Sequence, residues 1–274
     1  MKPLVSIVIP VFNGEEFLEQ AIASALDQDY PNLEILVIND GSVDGSARIA
    51  NKFGAAIRYF EKSNGGVATA LNEGLQRMSG DYFSWLSHDD LYSSNKISAQ
   101  MARLAELGYP EDVICFSNYE IKDEITGKII HRSNLKPIGA AQTMAYLATS
   151  NDVHGCSLLI PKRAFGRGGV FDEKLLHTQD YEMWFRLAQF CRFELVPECL
   201  VMSRLHPNQH SRRSRWRRVA ENDRVALQLL RSLESASIPA SPFSRGDWGL
   251  LTRTYFNRRL PRSMGYAFRR WIGI

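Results

Sequence analysis

The sequence predicts an α/β protein with a mostly parallel central sheet flanked by helices, and two observations support this fold class. Short apolar runs rich in β-branched residues alternate with helical patterns through the first ninety residues. Repeated units of this kind form parallel sheets covered by helices. The apolar fraction of 45% and the charged fraction of 23% are ordinary for a globular protein, and 274 residues are long for one compact domain.

The first half can be read element by element. Residues 4–9 form a run that is apolar apart from Ser6 and that Pro10 stops, which is typical of a strand buried on both faces. Residues 15–27 then carry an apolar side chain at every fourth position, which predicts a helix with one buried face. The same patterns predict strands at 33–38, 56–60 and 81–86, and helices at 44–53 and 66–78.

The second half is less regular but contains the same two types of element. The patterns predict strands at 112–118, 128–131 and 156–160, an extended segment at 193–204, and helices at 142–149, 180–190 and 216–233. Ligands of parallel sheets bind beyond the carboxyl ends of the strands. Those ends are Pro10 to Asn13, Asn39–Asp40 and Ser87 to Asp90, so we expect these three segments to face one crevice.

The charge is distributed unevenly along the chain. The net charge is +3, yet the segment from Ser203 to the end holds fifteen arginines, no lysine and four acids. Aromatic residues alternate with arginines between Tyr255 and Trp271. This basic tail either lies in the interface of an anionic membrane or docks as helices on the main domain with its arginines outward. Nucleic-acid binding is not favoured, because no other feature of the chain supports it.

Localisation follows from what the sequence lacks. The four cysteines include no CxxC pair, which excludes a common zinc motif and fits a reducing compartment. The apolar run at the N-terminus is too short for a signal peptide, and no stretch reaches the length of a membrane span. We therefore expect a cytoplasmic protein that is either free or peripheral on the inner face of the membrane.

Four acidic residues are candidates for chemistry. Asp89 and Asp90 end a strand and suit Mg²⁺ or Mn²⁺, which prefer oxygen ligands and bridge to diphosphates; alternatively, the pair caps the next helix. Asp180 is either a general base or a helix N-cap. Asp40 either accepts a hydrogen bond from a base or ribose, or forms an Asx turn with Gly41. No dinucleotide fingerprint or Walker A motif occurs.

Taken in order, the motifs resemble family 2 glycosyltransferases with the GT-A fold. The resemblance covers about residues 4–210. The matching segments are VSIVIPVFNG from Val5, the run from Leu26 to Ser46, NGGVATALNEG from Asn64, LSHDD from Leu86, GCSLLI from Gly155, QDYEMWFR from Gln179 and SRLHPN from Ser203.

The resemblance implies a role for each matching position. Asp180 corresponds to the family's catalytic base, and Asp90 and His206 to metal ligands for Mn²⁺ or Mg²⁺. Donor and nucleotide contacts are implied for Pro10, Phe12, Asn13, Asp40, Gly66 and Asp89. Acceptor-site candidates are Gly155, Cys156, Gln179 and Trp184. The family commonly has Asp at the position of Ser87, so one donor carboxylate is missing here.

The implied activity is inverting transfer of a sugar from a nucleotide-diphosphate donor, with UDP the most frequent nucleotide in the family, to a glycan or lipid-linked acceptor. Cell-surface polysaccharide synthesis is the implied setting. The implied domains are a catalytic unit at 1–210, with a nucleotide half at 1–90 and an acceptor half at 91–210, and an Arg-rich helical extension at 211–274. Two alternatives are a non-catalytic nucleotide-sugar-binding or scaffold protein and a nucleotidyltransferase.

Overall fold

The computed structural model describes residues 2–139, 143–149, 152–209, 215–235 and 261–272. The strands are β1 Val5–Val11, β2 Leu33–Asn39, β3 Arg58–Glu61, β4 Tyr82–Trp85, β5 Leu91–Tyr92, β6 Val113–Asp123, β7 Ile129–Arg132, β8 Ile160–Pro161 and β9 Arg192–Leu205. The helices are α1 Leu18–Leu26, α2 Ser46–Asn51, α3 Val67–Arg77, α4 Lys96–Glu106, α5 Thr143–Thr149, α6 Lys162–Gly168, α7 Gln179–Leu187, α8 Arg215–Ser235 and α9 Pro261–Ile272.

The main sheet has the strand order β3-β2-β1-β4-β8, and its first four strands are parallel. Only β8, at the edge beside β4, runs antiparallel. Every residue of β1 is buried, as expected for a central strand covered by helices on both faces. The predicted α/β class with a mostly parallel sheet is confirmed.

A second sheet, ordered β5-β9-β6-β7, lies next to the first. Its central strands β6 and β9 are long and parallel, with register shifts around Ser117 and Asn118. The short strand β5 pairs antiparallel with β9 through Leu91 and Met202. This pairing brings the residues just before β5 close to the end of β9, although they are far apart in sequence.

The strand predicted at 156–160 is wrong for most of its length. Residues Gly155–Ser157 form a 3₁₀ turn, and only Ile160 begins a strand. The turn forms because the side chain of His154 accepts a hydrogen bond from the Cys156 N–H. Gly155 also lies close to the Trp85 ring, since a Cβ added to it would lie 2.5 Å from a ring carbon. Apolar character alone did not distinguish this capped turn from a strand.

The described parts of the C-terminal extension are helical and packed on the main domain. The buried side chains of Val225, Ala226 and Leu230 on α8 join the large apolar core. Helix α9 docks on α8, where the Asp223 carboxylate accepts hydrogen bonds from the N–H groups of Arg262 and Ser263 at 3.1 and 2.9 Å. This arrangement favours the docked-helix interpretation of the tail for the described residues. The segment from 251 to 260, with part of the aromatic and arginine pattern, lies outside them.

No helix in the described ranges combines the length and the apolar character needed to cross a bilayer.

Helix α3 packs unusually close to the central strand because of one glycine. A Cβ built on Gly74 would lie 2.4 Å from Cγ1 and 3.0 Å from Cγ2 of Val8, which is closer than real Cβ contacts. Val8 is fully buried in the core. The absence of a side chain at Gly74 therefore sets the distance between α3 and the sheet.

We predict that Gly74→Ala lowers the free energy of unfolding by about 1–3 kcal/mol, the usual effect of overpacking a core. Urea unfolding measures this change. Gly166→Ala is the matched control, since a Cβ on this helical glycine meets nothing within 4 Å and should stabilise by about 0.4–1 kcal/mol. Equal effects of the two substitutions would contradict the packing argument.

Candidate active site

A cavity of about 770 Å³ opens at the carboxyl ends of the parallel strands. The three strand-end segments predicted to face one crevice all contribute to its wall. Of the site residues predicted from the sequence, the lining includes Pro10, Phe12, Asn13, Asp40, Gly66, Asp89, Asp90, Gly155, Cys156, Gln179, Asp180 and His206. A cavity of this size holds a ligand of several hundred daltons.

Asp40 connects the end of β2 to the glycine loop before α3. Its carboxylate accepts hydrogen bonds from Lys62 Nζ at 2.6 Å and from the N–H groups of Gly65 and Gly66 at 3.0 and 2.7 Å. These contacts are not an Asx turn with Gly41. The neighbouring Asn39 makes a local contact instead, since its Oδ1 accepts a hydrogen bond from the Ser42 N–H, three residues further on, at 3.0 Å. A carboxylate has about four acceptor positions, so Asp40 shapes this wall and keeps capacity for one further donor.

The wall beside Asp40 is formed by the turn after β1. Asn13 has a positive φ of 50°, and its side-chain oxygen accepts a hydrogen bond from Val43 N at 2.9 Å. This contact ties the turn to the loop after β2. Phe12 remains 46% exposed, so its ring is available for stacking on a planar ligand.

Asp89 pairs with His206. Nε2 of His206 lies 3.1 Å from Oδ2 of Asp89. Burial raises the pKa of Asp89, but the hydrogen bond from His206 and the electrostatic attraction of His88 and His206 together outweigh it, so the pKa stays below its ordinary value. Asp89 is therefore the ionised member of the acidic pair at neutral pH.

Asp90 is enclosed more tightly than its neighbour. Its Oδ1 accepts a hydrogen bond from the Arg204 backbone N–H at 3.0 Å, and its Oδ2 lies 3.4 Å from the Cys156 thiol. Burial, followed by the charge on Asp89, raises the pKa of Asp90 to about 7. The helix-cap interpretation of the pair is wrong, since Asn95 is the N-cap of α4.

His154 is a site residue that the sequence analysis missed. Its Nδ1 accepts the Cys156 N–H at 3.3 Å, which leaves the ring proton on Nε2 in the neutral form. That nitrogen lies 3.8 Å from Asp90 Oδ2. Burial lowers the pKa of His154 despite the nearby charges of Asp180 and Asp89. The ring is thus a neutral donor located between the acidic pair and Asp180.

Asp180 lies in the first turn of α7, and Thr178, not Asp180, is the N-cap. Its Oδ1 accepts the N–H of Tyr181 at 2.7 Å. Burial nevertheless raises the pKa of Asp180 above its ordinary value. A raised pKa makes the carboxylate a better proton acceptor than a solvated aspartate.

Trp184 does not lie where an acceptor contact would be. Its side chain is 1% exposed and packs edge-on against Phe171, with ring centroids 6.0 Å apart. It belongs to the inward face of α7 and is not part of the cavity lining. The acceptor role suggested for it is corrected to a core role. The other three acceptor candidates, Gly155, Cys156 and Gln179, do line the cavity.

The cavity has a one-sided charge. Among the described residues that line it are the acids Glu16, Asp40, Asp89, Asp90, Glu173 and Asp180, and neither lysine nor arginine. A bound diphosphate would thus find no lysine or arginine side chain in the described lining. It would need another source of positive charge.

The residues fit a divalent cation. Ligand atoms of Asp90, His154 and Cys156 lie within 4.8 Å of one another. Carboxylate and imidazole groups suit Mn²⁺, and carboxylates suit Mg²⁺. The predicted partner His206 is not in this group and contacts Asp89 instead. Asp90 is thus the shared member of the predicted and the observed ligand sets.

A buried lysine lies behind the acidic pair. Lys96 Nζ donates hydrogen bonds to Ser84 Oγ at 2.9 Å, Gln100 Oε1 at 2.8 Å and the Leu158 carbonyl at 3.3 Å. Burial lowers the pKa of Lys96 to about 7. These bonds fix α4 to the end of β4 and to the segment after the 3₁₀ turn.

Comparisons with known proteins identify the class of protein that this fold and site define. A profile described as "Glycosyl transferase family 2" matches residues 6–169, which is more than half of the chain. The chain belongs to glycosyl transferase family 2. The glycosyltransferase class and the GT-A fold predicted from the sequence are confirmed.

Individual relatives share the glycosyltransferase class but match this chain over only part of their length. The chain is 43% identical over 215 residues to an uncharacterized glycosyltransferase of Rickettsia felis, and the matched region covers 77% of this chain and 36% of the relative. It is also 43% identical over 209 residues to an uncharacterized glycosyltransferase of Rickettsia typhi, and that matched region covers 76% of this chain and 65% of the relative. The chain therefore spans between about a third and two thirds of these relatives.

Solved structures share the fold at low identity. S. aureus TarS 1–349 in complex with UDP-GlcNAc superposes with a TM-score of 0.73 at 15% identity, covering 94% of this chain and 73% of that solved chain. The mannosyltransferase PcManGT of Pyrobaculum calidifontis, in complex with GDP-Man and Mn²⁺, superposes with a TM-score of 0.63 at 16% identity, covering 97% and 73%.

We predict that Lys96→Met shows a pH-dependent effect on stability. The unfolded chain keeps the lysine proton up to about pH 10, whereas the folded protein releases it near pH 7. The contribution of Lys96 to the free energy of unfolding therefore rises between these pH values. The free energy of unfolding of the wild type, relative to that of the variant, should rise by up to about 1.4 kcal/mol per pH unit. Urea unfolding at pH 7, 8, 9 and 10 measures this difference. A constant difference would show that folded Lys96 keeps its proton.

Proposed function

We propose that this chain transfers a sugar from a nucleotide-diphosphate donor, with UDP as the nucleotide, to a hydroxyl group of an acceptor, with inversion at the anomeric carbon. One observation carries the proposal: a nucleotide-sized cavity places a carboxylate of raised pKa, Asp180, opposite an acidic pair that suits a divalent cation. A nucleotide-sugar donor is also supported by TarS and PcManGT, which bind UDP-GlcNAc and GDP-Man.

The donor occupies the wall formed by the ends of β1, β2 and β4. The base lies by Phe12, Asn13 and Asp40, since a ring and two polar groups meet there. The backbone of Gly66, which has a positive φ of 93° and lies next to the Asp40 carboxylate, allows close approach of the nucleotide. Asp89, ionised and held by His206, faces the ribose or the transferred sugar.

Asp180 accepts the proton of the attacking hydroxyl. The acceptor oxygen forms its bond to the anomeric carbon as the bond from that carbon to the diphosphate oxygen breaks. The proton passes to Asp180, and the electron pair of the broken bond leaves with the nucleoside diphosphate. The neutral N–H of His154, between the acidic pair and Asp180, orients the reacting groups by donating a hydrogen bond. The acceptor lies against Gly155, Cys156 and Gln179.

A divalent cation compensates for the one-sided charge of the cavity. Asp90 would hold Mn²⁺ or Mg²⁺, with the Asp89–His206 pair beside it. When bound, the cation supplies charge neutralisation for the leaving diphosphate.

The acceptor is a glycan or a lipid-linked sugar, and cell-surface polysaccharide synthesis is the setting that the family suggests.

The catalytic unit would cover residues 1–210, and the extension would cover residues 211–274. The protein would be cytoplasmic or peripheral on the inner membrane face. Arg262 and Arg269 are exposed on α9, so they can meet an anionic surface while the helix stays docked.

We predict that Asp180→Asn lowers kcat at least 10²-fold, the lower range for loss of a general base, and leaves nucleotide binding intact. Release of the nucleoside diphosphate from a panel of nucleotide sugars and acceptors measures the rate. Glu182→Gln is the matched control on the same helix, because Glu182 pairs with Arg186 and is not part of the cavity lining.

Equal background turnover of wild type and Asp180→Asn with every donor and acceptor would support a non-catalytic nucleotide-sugar-binding protein. Release of inorganic diphosphate from a nucleoside triphosphate would instead indicate a nucleotidyltransferase. Either result overturns the proposed transfer.

We also predict that chelation of divalent cations abolishes transfer and that added Mn²⁺ or Mg²⁺ restores it. In Asp90→Asn, restoration should need at least tenfold more cation, because one charged oxygen ligand is lost. Titration calorimetry of Mn²⁺ in the presence of UDP measures the change directly. Full activity in chelator would contradict the cation's role.

A further inference from the structure

We propose that Glu221, on helix α8 of the C-terminal extension, is a positioning residue for the loop that carries the general base. The proposal rests on the proposed function for its activity readout, and has a second readout that is independent of turnover. The extension thereby becomes part of the active site's support rather than an appendage.

The contacts of Glu221 concentrate on three consecutive loop residues. Its Oε1 accepts hydrogen bonds from the His177 N–H at 2.8 Å and the Thr178 hydroxyl at 2.7 Å. Its Oε2 accepts the Leu176 N–H at 3.1 Å. One carboxylate thus satisfies two backbone donors and the hydroxyl of the residue that caps α7.

This loop forms one wall of the cavity. Leu175, Leu176 and His177 line it, and Gln179 and Asp180 follow at once in the lining. Thr178 is the N-cap of α7, so its position sets where the helix begins and where the Asp180 side chain lies. A shift of this segment moves the base relative to the acceptor hydroxyl.

Helix α8 is a firm support for these bonds. One turn beyond Glu221, Val225 is 4% exposed, and Leu230 further along is 1% exposed, both within the main core. The hydrogen bonds of Glu221 outweigh the effect of its burial, so the pKa of this carboxyl is lowered. The charged form, which accepts all three hydrogen bonds, is therefore favoured.

The same helix offers a matched residue without this role. Asp223, two positions later, caps α9 through Arg262 and Ser263 and is not in the cavity lining. Removing Asp223 disturbs the extension but leaves the bonds to residues 176–178 in place. It therefore separates loop positioning from general damage to the tail.

The experiment compares Glu221→Ala, Glu221→Gln and Asp223→Ala in the full chain. Initial rates at varied donor and acceptor give kcat and KM, calorimetry gives the Kd of UDP, and hydrogen exchange followed by mass spectrometry reports on residues 175–181. Glutamine keeps one oxygen acceptor but places an NH₂ group at an N–H donor, so it should retain part of the function. Thr178→Val, alone and combined with Glu221→Gln, completes a double-mutant cycle.

We expect Glu221→Ala to lower kcat about 10- to 100-fold, the range for small misplacements of a catalytic group, with the Kd of UDP unchanged. Exchange of residues 175–181 should speed up in Glu221→Ala, less in Glu221→Gln, and not in Asp223→Ala. The effects of Thr178→Val and Glu221→Gln on kcat should not be additive. If Glu221→Ala does not fold, the Glu221→Gln and Thr178→Val results decide.

The proposal is overturned if exchange of the loop is unchanged in the Glu221 variants, or if Asp223→Ala accelerates it equally. It is also overturned if Glu221 variants keep wild-type kcat while Asp180→Asn is inactive. A wild type without turnover would refute the proposed function instead, and loop exchange would still decide the role of Glu221.

Discussion

The hydrogen bond from the Arg204 backbone N–H to the Asp90 carboxylate, 3.0 Å long, is the contact on which the site depends. It joins the segment after β4, in the main sheet, to the end of β9, in the second sheet. The pairing of β5 with β9 holds the two segments in register. With Asp90 anchored, Asp89 faces His206 and the thiol of Cys156 lies against the other carboxylate oxygen. The acidic pair thus links the two sheets in addition to lining the cavity.

The pKa values of the neighbouring carboxylates Asp89 and Asp90 are shifted in opposite directions. Two adjacent carboxylates cannot both ionise freely in a buried site. Here His206 stabilises the charge on Asp89, while burial and that same charge raise the pKa of Asp90 to about 7. Asp180, at the opposite wall, also has a raised pKa. A site arranged in this way gains by binding a cation, since a divalent charge relieves repulsion that the fold itself does not neutralise.

Much of this arrangement could be predicted from the sequence because parallel strands end at one edge. Asp40, Asp89 and Asp90 lie within four residues of the ends of apolar runs, so topology alone places them together. His154 could not be found in the same way, since its orientation depends on a 3₁₀ turn within a stretch that looks like a strand. The predicted acceptor contact of Trp184 was wrong because apolar residues at helical spacing identify a buried face of a helix without showing whether that face contacts the core or a ligand. The contact of Glu221 with residues 176–178 joins segments more than forty residues apart, and no local sequence pattern indicates it.

The separation of Asp90 from its main-chain partner by 114 residues also has a consequence during synthesis. At about 5–20 residues per second, the ribosome needs about 6–23 s between adding Asp90 and adding Arg204. Over that interval the parallel strands β1 to β4 are already made, yet the acidic pair has no β9 to close against. The residues at the ends of β1, β2 and β4, which form one wall of the cavity, are therefore synthesised before the site can be completed. The catalytic centre is among the last parts of the domain to be completed, so a partly made chain carries the fold's core without its chemistry.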